Sequence, residues 1–146
     1  MFPRMLARDL MVSPVVTIRS DATVADLCEL MQFHHVNGVP VLDGDDRIVG
    51  IASEEDILYG ALGLDASAPD AIGADAPRGA LDRLRVSEIM TSPAITVGEE
   101  TEVEEACRTM WKMRIHRLPV VQDGRVVGIL SAMDLVRAVA EGEIAP

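Results

Sequence analysis

The sequence predicts an α+β protein built from two β-α-β-β-α repeats that pack sheet to sheet about a pseudo-twofold axis. Three observations lead there. The chain has 146 residues and is 49% apolar, enough to bury a core. It also repeats itself. Slid by 79 residues, "LMVSPVVTI" (10–18) falls on "IMTSPAITV" (89–97), "VADLCELM" (24–31) on "VEEACRTM" (103–110), and "VNGVPVLDGD" (36–45) on "IHRLPVVQDG" (115–124). One residue dropped near Asp45 changes the offset to 78, and Arg47, Val49, Gly50, Ile51, Ser53 and Asp56 then meet identical residues. About fifteen identities over roughly fifty aligned positions, all in one order, mark a duplicated unit. Finally, a unit of about 55 residues buries too little surface to stand comfortably alone, so the two copies should share a core.

Each copy opens with a short β-branched strand, at 15–18 and 94–97. A helix follows: Val24, Leu27, Cys28 and Met31 fall at i, i+3, i+4 and i+7, and Val103, Ala106, Cys107 and Met110 repeat that stripe. Next come two strands, "GVPVL" and "RIVGIA", joined by "DGDD"; in the second copy "RLPVV" and "RVVGIL" are joined by "QDG". Both connections are hairpin turn signals. A second helix closes each copy. The repeats therefore run 6–62 and 84–140. The stretch between them, 63–83, is rich in Ala, Asp, Gly and Pro up to residue 80 and has no periodicity, which predicts a long surface connection.

Charge and composition narrow the function. The formal net charge of −11 offers no basic face to nucleic acid or to an anionic membrane, so neither is an expected partner. The acidity is uneven: residues 1–73 hold four basic and twelve acidic side chains, residues 74–146 nine and twelve. An anion should prefer surfaces from the second half. The start, "MFPRMLARDLM", is broken by Arg4, Arg8 and Asp9 and lacks the apolar stretch of a signal peptide. With no run near the roughly 18 apolar residues of a membrane span, the chain reads as cytoplasmic. The two cysteines, Cys28 and Cys107, lie far apart on the buried stripes and read as small core residues. His34 and His35 diverge by about 100° on a helix and lack a third ligand at useful spacing, so no metal is expected. No nucleophile stands beside a general base, which argues against an enzyme. Trp111, one turn after Cys107, either completes the core or projects into another subunit.

Ser53 and Asp56, and again Ser131 and Asp134, stand three apart at a strand-to-helix junction. One reading is a helix cap: the hydroxyl accepts from a free amide and the acid sits in the positive first turn. The reciprocal half of such a box prefers the longer Glu or Gln, and both copies carry Asp. The other reading comes from a resemblance. "GIASEED" and "GILSAMD", each preceded by a "VPV" or "LPV" strand and an "SPVVT" or "SPAIT" strand, resemble the paired repeats of cystathionine β-synthase (CBS) domains, including those of the nucleotide-sensing subunit of AMP-activated protein kinase. The likeness covers nearly the whole chain, so a stand-alone pair is expected.

That resemblance implies a Bateman-type module binding an adenosyl compound in the cleft between the repeats. Its aspartates accept from both ribose hydroxyls, with the serine beside ribose and phosphate, and adenine is read largely by backbone groups. The implied Asp134 pocket uses Ser131, His116, Arg117 and Leu118, with Val15 and Val16 from the first repeat. The implied Asp56 pocket uses Ser53, Asn37, Gly38 and Val39, with Ala94 and Ile95 from the second. "KMRIHRLP" adds Lys112 and Arg114 to His116 and Arg117, the densest basic cluster, and Arg114 is a candidate phosphate contact. In the first repeat Glu54 and Glu55 replace Ala132 and Met133 and would oppose a phosphate, so the Asp134 pocket should bind better. The implied ligand is AMP, ADP or ATP, or S-adenosylmethionine, with no obligate cofactor. The resemblance also implies a homodimer and a regulated protein partner of unknown identity. The rival reading is a ligand-free interaction module whose Ser-x-x-Asp pairs are caps alone.

Overall fold

The computed structural model describes residues 4–63 and 79–143; most of the expected connection, 64–78, lies outside them. In chain order the elements are α1 (Ala7–Leu10), β1 (Ile18–Arg19), α2 (Val24–His34), β2 (Gly38–Leu42), β3 (Ile48–Ser53) and α3 (Glu54–Asp56), which runs into a π-helical turn (Ile57–Ala61). Then follow α4 (Ala80–Arg83), α5 (Val86–Ile89), β4 (Val97–Gly98), α6 (Val103–Met113), β5 (Arg117–Gln122), β6 (Arg125–Ser131) and α7 (Ala132–Ala140). There are two three-stranded sheets, ordered β1-β2-β3 and β4-β5-β6, and the fold is α+β. In each, the first pair is parallel and the second antiparallel.

The opening strands are shorter than the β-branched runs predict. Only Ile18–Arg19 and Val97–Gly98 find ladder partners, on β2 and β5. Upstream of each, Pro14 and Pro93 have no amide to donate, and the chain turns away to a different edge. Most of each helix stripe is as the spacing predicts, α2 burying Val24, Leu27 and Met31 and α6 Val103, Ala106 and Met110, while Cys28 and Cys107 are only half-buried against the same cores. Thr23 caps α2, its Oγ1 accepting from the Asp26 amide while Asp26 accepts from the Thr23 amide, both at 3.1 Å. The β5–β6 turn places Asp123 and Gly124 at φ 53° and 80°, as a two-residue hairpin of type I′ needs. The extra residue of the first repeat sits in the longer β2–β3 turn, where the Asp43 Oδ1 accepts from the amides of Asp45 and Arg47 at 2.8 and 3.0 Å. Those bonds, the Arg47 amide's first, hold the Asp43 carboxyl below its usual range.

The chain forms two compact units that do not coincide with the sequence repeats. One is Val16–Ala94; the other joins the residues up to Val15 with those from Ile95 onward. Each unit thus combines one repeat's sheet with the arm that opens the other repeat. In the 16–94 unit, Val86 and Ile89 of α5 join a core of Val24, Leu27, Val39, Val41 and Ala52. The Val86 and Ser87 amides donate to the carbonyls of Ala22 and Ser20. Leu81 and Leu84 pack on the same core, so the last residues of the expected connection, α4, are part of this unit. In the other unit, Ala7 and Leu10 of α1 join Val103, Leu118, Val120 and Leu130. The Ala7 and Arg8 amides donate to the carbonyls of Thr101 and Glu99.

One device docks both arms. The β2–β3 register skips Val49 and the β5–β6 register skips Val127, a bulge at the same place in each sheet. The carbonyls of these bulged residues accept from the hydroxyls of Ser92 (2.8 Å) and Ser13 (3.0 Å). Beside them, Thr91 and Ile51 exchange backbone bonds, as do Val12 and Ile129. The approach is close: a Cβ on Gly50 would stand 2.7 Å from the Thr91 carbonyl oxygen, and one on Gly128 2.8 Å from the Met11 Cγ. The serine of each "SP" motif is therefore a strap, a role that reading "SPVVT" as a strand does not supply.

Candidate functional site

The last residue of β3, Ser53, is also the N-cap of α3, and Ser131 at the end of β6 is the N-cap of α7. Asp56 Oδ2 accepts from the Ser53 amide at 2.9 Å and from its Oγ at 3.0 Å. Asp134 Oδ2 accepts from the Ser131 amide and Oγ, both at 2.8 Å. The aspartate amides donate back to the serine Oγ at 3.3 and 3.2 Å. Both capping boxes are complete. The preference for a longer acid is overridden here, and not at these junctions alone: Asp26 reaches the amide of Thr23 and Asp9 that of Leu6 in the same way. An acid at the third helical position, opposite an extended N-cap, is close enough even as Asp.

The copies differ at the other carboxylate oxygen. Asp56 Oδ1 accepts from the Thr91 hydroxyl at 3.0 Å. Asp134 Oδ1 instead lies 3.7 Å from the Arg137 guanidinium, one turn along α7; the Asp134 side chain is 13% exposed and that of Arg137 53%. The repeat counterpart of Thr91 is Val12, and that of Arg137 is Tyr59. Sequence reasoning passed over Thr91. The signal was present as the one polar mismatch between "MVSP" and "MTSP".

The loops before β2 and β5 are tied to these junctions. The Glu54 amide donates to the Asn37 carbonyl at 3.1 Å and the Ala132 amide to the His116 carbonyl at 2.7 Å. Gly38 pairs with Ser53 and Arg117 with Ser131 across the sheets. Val39 and Leu118, one residue further, are buried in the cores and offer a ligand backbone only. So the structure gathers Asn37, Gly38, Ser53 and Asp56 at one junction, and His116, Arg117, Ser131 and Asp134 at the other. Ala94 belongs to the unit of Asp56 and Val15 to the unit of Asp134. Val16 and Ile95 each belong to the opposite unit, where they pack on its core. Arg114 is the C-cap of α6 at φ 54°, the conformation His35 adopts after α2, and its side chain is exposed.

Glu54 and Glu55 are exposed in the first turn of α3. Cys28 and Cys107 are half-buried free thiols, and burial pushes both above the usual thiol range. Among the described residues no three His, Cys, Asp or Glu side chains come together as a metal site. None of the helices there is long and apolar enough to cross a membrane. Trp111 does not complete the core: it is 81% exposed.

A family profile described as "CBS domain" matches residues 7–63 and 86–141. The chain is 27% identical over 133 residues to an inosine-5′-monophosphate dehydrogenase of Methanocaldococcus jannaschii, covering 90% of this chain but 23% of that enzyme. The chain thus spans about a quarter of the length of that curated relative. A CBS domain pair solved in complex with 5′-methylthioadenosine and S-adenosyl-L-methionine superposes with a TM-score of 0.77 at 27% identity, over 96% of this chain and 99% of that one. The structure of CBSX2 in complex with AMP gives 0.74 at 25% identity, over 94% and 98%.

Proposed function

The chain belongs to the CBS domain family, and from that premise we propose that it is a regulatory module that binds an adenine nucleotide or adenosyl compound at its Ser-Asp junctions. The observation that carries the reading is the Asp134 carboxylate. Ser131 holds one of its oxygens, and among the described residues the other meets only a guanidinium beyond hydrogen-bond distance. A fixed, ionised acceptor of this kind suits a sugar diol, each charge-assisted bond contributing roughly 1.5–3 kcal/mol. Support also comes from the two similar pairs, whose structures hold AMP or adenosyl ligands. His116 and Arg117 are basic residues at this junction, with the exposed Arg114 two residues before them, whereas the Asp56 junction carries Glu54 and Glu55, so Asp134 is the stronger site. The module performs no chemistry. It acts in the cytoplasm, as a homodimer, by passing ligand occupancy to a partner through differential affinity for two shapes.

The test is a melting series with AMP, ADP, ATP, S-adenosylmethionine and 5′-methylthioadenosine. A ligand at 100 times its dissociation constant stabilises by about 2.7 kcal/mol, a readily measured shift. Asp134→Ala should abolish most of that shift and Asp56→Ala less. The completed capping boxes favour a second reading, a ligand-free interaction module. That reading gains if none of these compounds moves the melting point while both substitutions lower it.

A further inference from the structure

We propose that Thr91 decides which of the two aspartates takes a diol, by occupying the acceptor site on Asp56 that a second ribose hydroxyl would need. This rests on the adenosyl-binding reading and assigns the selectivity within it. A carboxylate offers about four lone-pair positions. Among the described residues two are used at Asp134, both by Ser131, and the Arg137 guanidinium at 3.7 Å balances the charge without a hydrogen bond. Two positions remain for the two O–H donors of a cis-diol. At Asp56 the Ser53 amide and hydroxyl use two and the Thr91 hydroxyl a third, leaving one. Thr91 cannot easily withdraw its backbone from that position, because its amide and carbonyl are both bonded to Ile51. Val12 is held to Ile129 by the same pair of bonds and has no hydroxyl to place. The two junctions are therefore chemically unequal although their Ser-x-x-Asp motifs are the same.

Calorimetric titration with AMP tests this. Wild-type protein and Thr91→Ser, which keeps a hydroxyl, should each take up one equivalent per chain. Thr91→Val should raise affinity at Asp56 about tenfold or more, the lower range of one hydrogen bond to a charged group, and reveal a second equivalent. In an Asp134→Ala background, where only weak uptake of AMP should remain, adding Thr91→Val should restore one equivalent. Wild-type binding with no change in stoichiometry in Thr91→Val, or a loss of affinity there, overturns the assignment while leaving the adenosyl reading intact. No uptake by wild type or by Thr91→Val overturns both.

Discussion

Among the described residues Asp56 accepts from three donors and Asp134 from two, and the difference predicts opposite orders of effect with and without ligand. Without ligand, Asp134→Ala strands the Ser131 amide and should destabilise by about 1–2 kcal/mol, as lost caps do. Asp56→Ala also frees the Thr91 hydroxyl and with it part of the arm's attachment, so it should destabilise by more, by up to about 1 kcal/mol. With AMP present the ranking should reverse, because the proposed site places the added stability at Asp134. Urea unfolding of both variants, with and without AMP, reads this directly; a larger loss for Asp134→Ala in the absence of ligand would mean that donor number does not set the stability of these junctions. At this scale the sequence showed both aspartates and their serines, because the motif is local and duplicated. It did not show Thr91 as a partner, since that residue lies 35 positions away from Asp56 and meets it only when the arm docks.

The docked arms make the elements interdependent. Gly50 and Gly128 are equivalent, and a flexible methionine side chain crowds each, Met90 and Met11, but Gly50 alone also meets a backbone carbonyl, that of Thr91. The Thr91 carbonyl accepts from the Ile51 amide and cannot retreat without breaking that bond. Gly50→Ala should therefore destabilise by about 1–3 kcal/mol, the range for overpacking, and Gly128→Ala by less because Met11 can change rotamer. Chemical denaturation of the two variants checks the order; equal losses would show Met11 to be as immobile as the carbonyl. The helices and hairpins were legible because periodicity and turn chemistry are short-range signals. The bulges at Val49 and Val127, and the serines that use their carbonyls, were not: nothing in "RIVGIA" distinguishes a residue that skips the ladder from its neighbours.

For the whole molecule, duplication both reveals and conceals. It made the repeat count plain, but because "LMVSP" and "IMTSP" are nearly alike, local pattern cannot say which sheet either arm will join; each joins the sheet of the other repeat. The outer surface was legible only in part. The sequence left Trp111 either in the core or at a subunit contact, and its exposure removes the first. Met113, 54% exposed, follows two residues on along α6, and Met133, Val136 and Val139 stand exposed at i, i+3 and i+6 along α7. An indole left in water suits a self-association contact, and aromatic anchors dominate such contacts. Sedimentation should therefore give a dimer at micromolar concentration. Trp111→Glu should yield a monomer whose far-ultraviolet spectrum is unchanged, since no core contact is removed. If wild-type protein sediments as a monomer throughout that range, the helix faces serve some other partner and the homodimer is wrong; if Trp111→Glu remains dimeric, the contact lies elsewhere on the surface.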